Sequence, residues 1–425
     1  MNTHTSIKKN YALIKWQKLT IVSILIGFLA ALLAITLKHI TEHYEAILFA
    51  KTQQNFLYLL IFPVFGLSVI YFLRQYLFKK KENKGIKEVF ESTSSSKNLP
   101  LYKIPSHFIN GLITVAFGGS TGIEVSTVVA TATIGSVAHT KENFFKKYKT
   151  ELICAGVAAG ITALFSSPLA GILFAYEVIS KKLSKVFLIT TFISITIATA
   201  FLFVLEEKPL FEVAINTWHY HAIPYFLLLG IIAGMNSIYL TKCVLFFKKQ
   251  AAKIQVHYHK IIFGAIILTL SLLVLPQLYG DGYHAIKHSI ISANTDALTL
   301  PLALTILSIL VMKPIITSIT LSSGGDGGVF APSLFIGAFL GLLTALCVNT
   351  FFNANVIPLN FMIIGMAAML SASIHAPFTA LFLVCGVVND YTLFFPILLV
   401  CLVSKYTAQK IYPYTVYSYK ETLAK

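Results

Sequence analysis

The sequence predicts an all-α polytopic membrane protein built from two similar halves, and three observations lead to this fold class. The chain has 425 residues, of which 56% are hydrophobic and 12% are charged, whereas a soluble domain has about 25% charged residues. A glycine-rich motif at residues 118–127 is repeated at residues 324–333. Several apolar runs approach the roughly 20 residues that a helix needs to cross a bilayer. These runs are residues 19–37, 56–73, 186–205, 225–240, 261–275 and 298–312.

The net charge of +16 is carried largely by lysines in the short connections between apolar runs. Basic loops of this kind are typical of the cytoplasmic side of a membrane protein, so we interpret the charge as topology and predict no nucleic-acid partner. The N-terminus and the loop near Lys79 are then cytoplasmic, and the link with Glu42 and Glu45 lies outside. The basic clusters are Lys8, Lys9, Lys15, Lys18, Lys79, Lys80, Lys81, Lys146, Lys147, Lys149, Lys181, Lys182, Lys185, Lys248, Lys249 and Lys253.

We divide the chain into a basic cytoplasmic tail (residues 1–18) and one transmembrane domain (residues 19–425). The halves of this domain span about residues 19–207 and 225–425. The tyrosine-rich end of the chain predicts no soluble regulatory domain. The first apolar run lacks a clear small-residue cleavage site, so we do not interpret it as a cleavable signal peptide. We expect a multi-pass protein embedded in the lipid bilayer of the plasma (inner) membrane.

Glu124 is the residue that the first glycine motif singles out. It lies on the first turn of a predicted helix, and residues 128–137 behind it contain no charge. An ionised side chain in hydrocarbon costs at least about 2.5 kcal/mol and is a functional candidate by default. Gly122 lets the chain turn so that backbone amides point inward, and a helix N-terminus carries a partial positive charge. The motif therefore predicts an anion site with an acidic side chain beside it.

The second motif repeats this backbone plan with a different side chain. Gly328 and Phe330 stand 206 residues after Gly122 and Glu124. A further block, residues 156–170, is echoed 209 residues later in the chain. Internal repeats are typical of membrane transporters, whose binding sites lie at the interface between the repeats. We therefore expect the two motifs to meet.

Several apolar segments are interrupted by glycine or proline before they reach the length of a span. Residues 104–117, 127–138 and 331–343 are examples. Broken helices are tolerated in a bilayer only where protein encloses them or where they line a cavity. These segments therefore predict short helices whose N-termini point at an anion near the bilayer midplane.

The remaining polar residues in apolar sequence receive structural interpretations. The five cysteines read as small buried hydrophobes and the histidines show no metal-binding spacing, so we predict no metal site and no cofactor. Lys313 is interpreted as a helix-end cation and Asp326 as an exposed turn residue. Glu177 and Asp390 are expected to cap or pair locally, and His375 is expected to begin a helix.

Several motifs, taken in order, resemble those of the CLC family of chloride channels and proton/chloride antiporters. The resemblance covers nearly the whole chain, from about residue 19 to residue 423. Each motif is short, but their order along the chain is highly specific. The matching segments are residues 122–126 (GIEVS), 167–171 (SPLAG), 328–332 (GVFAP), 373–377 (SIHAP) and 416–418 (VYS).

The resemblance implies a fold of two inverted halves made of tilted and broken helices, with one pore in each subunit of a homodimer. It implies that Glu124 is the external gate, which fills the outer anion site when ionised and swings out when protonated. Tyr417 is implied to donate its hydroxyl to the central anion. Chloride is then a substrate and not a cofactor, and protons are a candidate second partner. The other positions implied in anion binding are Lys84, Gly85, Ile86, Val329, Phe330 and Ala331.

Three features depart from the family pattern. Lys84 replaces the serine that normally coordinates the central anion, and it fits a fixed charge at the inner mouth and a cytoplasmic loop lysine equally well. The first motif has Ile123, Val125 and Ser126 where the family has arginine, glycine and proline. The internal proton-transfer glutamate of many antiporters falls on Val178. These departures leave proton coupling open.

We therefore expect transport of chloride or a similar small anion, by a voltage-gated channel or a proton-coupled antiporter, and no enzymatic activity. A fluoride-selective exporter of the same type is an alternative. A membrane-embedded transferase is the rival from another class, but it needs a cluster of catalytic acids or histidines at one membrane face, which the sequence lacks. A scaffolding protein would not need two glycine-rich helix starts directed at one point.

Overall fold

The computed structural model describes residues 2–79 and 83–418 and is built from helices throughout that part of the chain, as predicted. Lys80, Lys81 and the predicted domain end at residue 425 lie outside the described residues. The helices of the first half are α1 (Asn2–Gln54), α2 (Leu57–Phe72), α3 (Ile86–Ser94), α4 (Lys103–Ala116), α5 (Glu124–Lys141), α6 (Lys149–Phe165), α7 (Pro168–Phe174) and α8 (Lys185–Val204). Those of the second half are α9 (Ile223–Lys253), α10 (His257–Val274), α11 (Tyr283–Ser292), α12 (Leu300–Ser322), α13 (Phe330–Phe352), α14 (Pro358–Ile374), α15 (Pro377–Val388) and α16 (Phe394–Ile411). Short 3₁₀ or π-helical turns lie at Leu73–Leu77, Asn143–Tyr148, Ala175–Ser180, Tyr220–Ala222 and Pro276–Leu278.

Eight helical stretches within the described residues are long and apolar enough to cross a membrane, which confirms the multi-pass prediction. Residues 331–343 were predicted to be a shortened segment, and this prediction is wrong because they belong to the 23-residue helix α13. Gly337 and Gly341 lie inside this helix and serve close packing instead of breaking it. The eight stretches are Leu13–Gln54, Leu57–Leu77, Asn143–Phe165, Lys185–Val204, Tyr220–Lys253, Leu300–Ser322, Phe330–Phe352 and Phe394–Ile411.

Helix α1 is longer than a bilayer is thick. It contains 53 residues, which corresponds to about 80 Å at 1.5 Å per residue, against about 30 Å for the hydrocarbon core. The basic segment predicted as a tail, residues 1–18, therefore runs into the first span without a break in the described backbone from Asn2 onward. The boundary at residue 18 is a change in composition within one helix.

The two halves repeat each other around the glycine motifs. Helices α5 and α13 begin at Glu124 and Phe330, 206 residues apart. Helices α7 and α15 begin at Pro168 and Pro377, 209 residues apart. Proline suits the first turn of a helix because its missing N–H would have no partner there. The repeat seen in the sequence is thus a repeat of helix starts.

His375 ends helix α14, and the prediction that it begins a helix is wrong. Its φ is +56°, a left-handed conformation that closes the helix before Ala376 and Pro377. Ser166 closes α6 in the same way, with φ at +53°. The sequence signal was Pro377, which marks the start of the next helix, α15, and not a helix start at His375.

Small residues pack the inner helices, whereas the outer helices carry large exposed apolar side chains. A Cβ added at Gly337 would collide with the carbonyl group of Gly365, so α13 and α14 touch through their backbones. Contacts of this kind favour helix association in a bilayer. Phe192 on α8 is 63% exposed and Phe263 on α10 is 66% exposed, as expected of side chains that face lipid. The glycine motifs lead into α5 and α13 and therefore lie in the protein interior.

Candidate functional site

The two glycine motifs contact each other in the protein interior. The backbone N–H of Gly328 donates to the carbonyl oxygen of Gly122 at 3.3 Å, and the two glycines form an antiparallel bridge. The Thr121 hydroxyl donates to the carbonyl oxygen of Gly328 at 2.8 Å. Because α5 and α13 each begin two residues after these glycines, the two helix N-termini converge. The contact that the sequence repeat predicts is present.

The helices that precede the motifs exchange hydrogen bonds between the halves. Thr320 Oγ1 on α12 accepts from the backbone N–H of Ser120 at 3.2 Å. Thr114 Oγ1 on α4 accepts from the backbone N–H of Asp326 at 2.9 Å. Both residue pairs follow the 206-residue offset, so the two bonds are equivalent. They fix each motif to the opposite half without using a charged side chain.

Glu124 projects from the first turn of α5 into the space in front of both helix tips. It is 1% exposed, and its carboxyl group lies against Gly122 and Ala331. The backbone amides of Glu124 and Ala331 face this carboxyl group, whereas Oε2 has no hydrogen-bond partner among the described residues. The carboxyl group therefore takes the position in front of two helix N-termini that a small anion would take.

Tyr283 is the site residue that the sequence reasoning missed. Its hydroxyl donates to Oε1 of Glu124 at 2.7 Å, across 159 residues of chain. It begins α11 directly after Gly282, whose φ is +89°. The available sequence signal was the turn formed by Gly280 and Gly282, but nothing in that turn ties it to the first glycine motif.

A cavity of about 120 Å³ lies beside the helix tips, on the side of the predicted cytoplasmic loops. The backbone N–H of Val329 donates to the Tyr417 hydroxyl oxygen at 3.4 Å at this cavity. The structure therefore brings together most of the residues predicted to bind the anion. The predicted residues that line the cavity are Lys84, Gly85, Ile86, Gly328, Val329 and Tyr417.

Phe330 and Ala331 lie behind this cavity and do not line it. The Phe330 ring packs edge-on against Phe174 with ring centroids 5.5 Å apart, and its centroid is 6.4 Å from that of Tyr417. Ala331 instead contacts the region of the Glu124 carboxyl group. A role for these two residues in anion binding stays a prediction about their backbone amides.

Lys84 is exposed and lies at the rim of the inner cavity. Its backbone N–H donates to the carboxylate of Glu88. Lys87 and Lys248 line the same cavity, so three lysines surround it with positive charge. The position of Lys84 agrees with both interpretations, because an exposed loop lysine at this rim also places its charge at the inner mouth.

Glu124 and Tyr283 line a separate cavity of about 20 Å³. Three of its other lining residues, Lys38, Glu42 and Leu210, also line a cavity of about 760 Å³, so the two cavities are adjacent. Val125, the residue after the glutamate, lines the inner cavity instead. Glu124 therefore separates the inner cavity from the two outer cavities.

Asp326 is buried, and the prediction of an exposed turn residue is wrong. Its carboxylate accepts from Nδ2 of Asn83 at 2.6 Å and lies 3.1 Å from Nδ1 of His107 and 4.0 Å from Nη2 of Arg74. The second glycine loop folds inward against α4, so polar side chains surround this aspartate. Because Asn83 directly precedes Lys84, the cluster supports one wall of the inner cavity.

Lys313 is buried in the middle of α12, and the prediction of a helix-end cation is wrong. The helix continues for nine residues beyond it, to Ser322. Its Nζ donates to the carbonyl oxygens of Leu278 at 3.3 Å and Gly280 at 3.2 Å, and lies 4.5 Å from the ring centroid of Phe335. A fully buried ammonium needs such partners because desolvation is costly.

Glu177 connects the two halves, and the prediction of a local cap is wrong for this residue. Its Oε2 accepts from the backbone N–H of Thr379 at 2.7 Å and from the Thr379 hydroxyl at 2.6 Å. It thus caps the first turn of α15 from 202 residues away. Asp390 does pair locally, since its Oδ1 accepts from the N–H of Thr392 at 2.7 Å. Val178 is buried in the π-helical turn Ala175–Ser180.

Comparison with known proteins points to one family. A family model described as voltage gated chloride channel matches residues 65–409. The H(+)/Cl(-) exchange transporter ClcA of Salmonella paratyphi B is 29% identical over 380 residues, which cover 84% of this chain and 76% of the relative. The ClcA protein of Salmonella newport gives the same values.

Two solved structures share the fold. The crystal structure of a CLC-type fluoride/proton antiporter matches with a TM-score of 0.77 and 25% identity, covering 95% of this chain and 97% of that one. The crystal structure of a slow cyanobacterial Cl⁻/H⁺ antiporter matches with a TM-score of 0.80 and 21% identity, covering 96% and 98%. The predicted fold class, with its two halves of tilted and broken helices, is thereby confirmed.

Proposed function

Because the chain belongs to the voltage-gated chloride channel (CLC) family, we propose that it carries chloride or a similar small anion across a membrane, with Glu124 as the gate. The observation that carries this proposal is the position of the Glu124 carboxyl group. It stands in front of two converging helix N-termini, between an inner cavity and two outer ones. An anion that crosses this point must displace it.

The inner cavity supplies the first binding position. The Tyr417 hydroxyl accepts from Val329, so its own hydrogen is available to donate to an anion. Backbone amides at a helix tip attract an anion with a partial charge. The lysines around the cavity, Lys84 among them, raise the local anion concentration.

The gate works by competition for the second position. When Glu124 is ionised, its carboxylate takes the place of the anion and accepts from the donors around it. A proton on the carboxyl group removes this charge, and hydrogen bonds to a neutral acceptor are weaker than those to an ionised one. The neutral side chain then yields to the anion.

Two observations bear on proton coupling and favour opposite answers. The curated relatives are named as H(+)/Cl(-) exchange transporters, which favours exchange. In this chain Val178 offers no carboxyl group at the internal position, and the neighbouring Glu177 is held by Thr379, which favours uncoupled conduction. Glu124 acts as a gate in both cases.

The test is anion flux from liposomes containing the full chain, recorded with a chloride electrode and a pH electrode together. Transport predicts chloride efflux above that of protein-free liposomes. Exchange predicts proton movement in the opposite direction to chloride, and a channel predicts chloride movement alone. Efflux equal to that of protein-free liposomes would overturn the proposal.

A fluoride-selective antiporter is the second candidate. The observation that favours it is the likeness to the solved structure of a CLC-type fluoride/proton antiporter, at 25% identity over nearly the whole of both chains. The same liposomes loaded with equal concentrations of fluoride or chloride separate the two candidates. Faster chloride efflux supports the first candidate, and efflux of fluoride alone supports the second.

We further propose that the protein is a transporter and not an enzyme, and that it works as a homodimer in the plasma (inner) membrane. Its organisation is then a basic tail at residues 1–18 and one transmembrane domain at residues 19–425. The lysine-rich connections support the proposed orientation, with the N-terminus inside. Light scattering of the detergent-solubilised protein tests the dimer, and a monomer mass would contradict it.

A further inference from the structure

Tyr283 connects the gate to a buried charged cluster on the outer side of the molecule. Its hydroxyl donates to Oε1 of Glu124 at 2.7 Å. We propose that Tyr283 is a positioning residue that latches the Glu124 carboxylate in the closed position, and that Asp281, Glu45 and Lys313 anchor this latch. The inference rests on the proposed role of Glu124 as the gate.

The backbone around Tyr283 is held from two sides. Asp281 Oδ1 accepts from the backbone N–H of Tyr283 at 2.8 Å. The backbone N–H of Asp281 in turn donates to Oε1 of Glu45 on α1, at 3.3 Å. Gly282 between them has a φ of +89°, a conformation that suits glycine. The tyrosine is thereby fixed to helix α1 before its side chain reaches the gate.

Lys313 completes the anchor from helix α12. It donates to the carbonyl oxygens of Leu278 and Gly280, in the turn that leads to Tyr283, and it interacts electrostatically with Asp281 and Glu45. Lys313, Glu45 and Asp281 are 0%, 3% and 6% exposed, respectively. A nearby cation lowers the cost of burying an acidic side chain, so the lysine favours this arrangement of the two acidic residues.

The tyrosine ring is also restrained against rotation. Phe211 packs edge-on against it, with ring centroids 5.7 Å apart and an interplanar angle of 86°. Among the described residues, the Tyr283 hydroxyl is the one side-chain group that hydrogen-bonds to the Glu124 carboxyl group. The other carboxyl oxygen, Oε2, has no hydrogen-bond partner among them. When the two separate, the carboxyl group moves and the tyrosine stays in place.

The latch distinguishes the two protonation states of the gate. A hydrogen bond donated to a carboxylate is about twice as strong as one between neutral groups. Tyr283 therefore holds the ionised, closed gate more firmly than the protonated one. It couples the arrival of a proton to release of the gate, in addition to the loss of charge itself.

The experiment compares Tyr283→Phe with Tyr279→Phe in the liposome flux assay. Both substitutions remove a buried hydroxyl and keep the ring, but the Tyr279 hydroxyl donates to the carbonyl oxygen of Ala116 and not to Glu124. Losing a hydrogen bond of about 1.4 kcal/mol corresponds to about a tenfold change. We expect Tyr283→Phe to raise anion flux by about tenfold and Tyr279→Phe to leave it near the wild-type value.

The pH profile of flux provides the readout that a structural defect would not give. Without the tyrosine donor, the carboxylate is less stabilised, so the gate binds its proton at a higher pH. We expect the flux midpoint of Tyr283→Phe to move up by about one pH unit. The other ionisable groups that face Glu124 are Lys38 and Glu42 on α1, Asp281 in the turn before α11, and Tyr417; all are unchanged in this variant.

A double-mutant cycle separates failure of the latch from failure of the gate. In a Glu124→Ala background there is no carboxylate to hold, so adding Tyr283→Phe should change neither flux nor pH profile. If Glu124→Ala itself leaves flux unchanged, the proposed gate is wrong. If Glu124→Ala raises flux but Tyr283→Phe matches wild type or Tyr279→Phe, the latch is wrong. A flux change from Tyr283→Phe that is equal in both backgrounds also contradicts the latch.

Discussion

The two glycine motifs begin with the same left-handed glycine and lead into equivalent helices, but their side chains behave in opposite ways. Gly118 and Gly324 start the two motifs with φ values of +86° and +106°. Each motif leads into one helix, and the N-termini of these two helices converge. At equivalent positions, Glu124 carries an ionisable group with an oxygen that lacks a hydrogen-bond partner among the described residues, while Phe330 is packed between aromatic rings. In the proposed function, the repeat builds the anion position and the asymmetry between these two side chains supplies the gate.

A second pair of equivalent positions shows the same division. His107 on α4 and Lys313 on α12 are 206 residues apart, and both are fully buried. His107 lies beside Asp326 on the side of the inner cavity, whereas Lys313 supports the turn that leads to Tyr283. Each half therefore places a basic side chain behind the opposite end of the anion path.

The largest expected effect comes from removing the ionisable group that distinguishes the two motifs. Glu124→Gln keeps the shape of the side chain but cannot carry a proton or a charge. We expect any proton movement coupled to chloride to disappear, while anion flux persists and loses its pH dependence. The liposome assay measures both quantities.

Glu42→Gln is the matched control for this substitution. Glu42 lines the small outer cavity together with Glu124, and it also lines the large one, but it does not lie at the helix tips. We expect it to retain the wild-type pH dependence of flux. If both substitutions gave the same profile, the distinction between the two carboxyl groups would be lost.

The next effect concerns stability. Lys313→Met removes the buried donor to the carbonyl oxygens of Leu278 and Gly280, and each buried acceptor left without a partner costs about 1–3 kcal/mol. We expect a lower midpoint of thermal unfolding in detergent and loss of the latch. Lys208→Met is the control, because the side chain of Lys208 is 82% exposed. Equal midpoints for the two variants would refute the anchor.

Alanine at the two bridging glycines should change anion flux in opposite directions. We expect Gly122→Ala to raise flux and Gly328→Ala to lower it. At Gly122 the added Cβ would collide most severely with the Glu124 carboxyl group, the far end of a flexible side chain, and less severely with the Cβ of Ala331, so we expect the gate to be pushed aside first. At Gly328 it would collide with the β-branched Val125, so the tips are forced apart. Overpacking of this kind costs about 1–3 kcal/mol, which corresponds to a change of about 5- to 150-fold in either direction. The initial rate of efflux decides, and a change of the same sign in both variants would contradict the comparison.

The smallest effect is expected at the inner rim. Lys84→Ser removes one of three lysines around the inner cavity, and an exposed charge contributes about 0–1 kcal/mol. We expect a few-fold weaker apparent anion affinity with an unchanged maximal rate, and a smaller difference at high salt. Affinity and selectivity equal to wild type would assign Lys84 to the solvent-exposed loop.

The parts of the site that were predictable are those written into local sequence. Glu124 and Gly122 could be found because a charge and a glycine turn stand out within one apolar segment, and Gly328 because it repeats them. The fold class followed from apolar length and from the repeat. These signals need only residues that are close in the chain.

The parts that were missed depend on contacts between distant segments. Tyr283 reaches Glu124 across 159 residues, and Glu177 reaches Thr379 across 202. Asp326 was mistaken for a turn residue because its glycine-rich surroundings are typical of exposed loops, while its actual partners are Arg74 in the π-helical turn after α2, Asn83 in the segment before α3 and His107 on α4. Burial of a polar residue is set by what packs over it, which a single sequence does not state.

The most direct test of the central claim is to locate bromide, by anomalous scattering, in crystals of the wild-type protein and of Glu124→Gln. We expect bromide near the Tyr417 hydroxyl in both crystals. We expect a second bromide between Gly122 and Ala331 only in the variant, where no carboxylate competes for the helix tips. Bromide in neither position, or equal occupancy of the second position in both crystals, would contradict it.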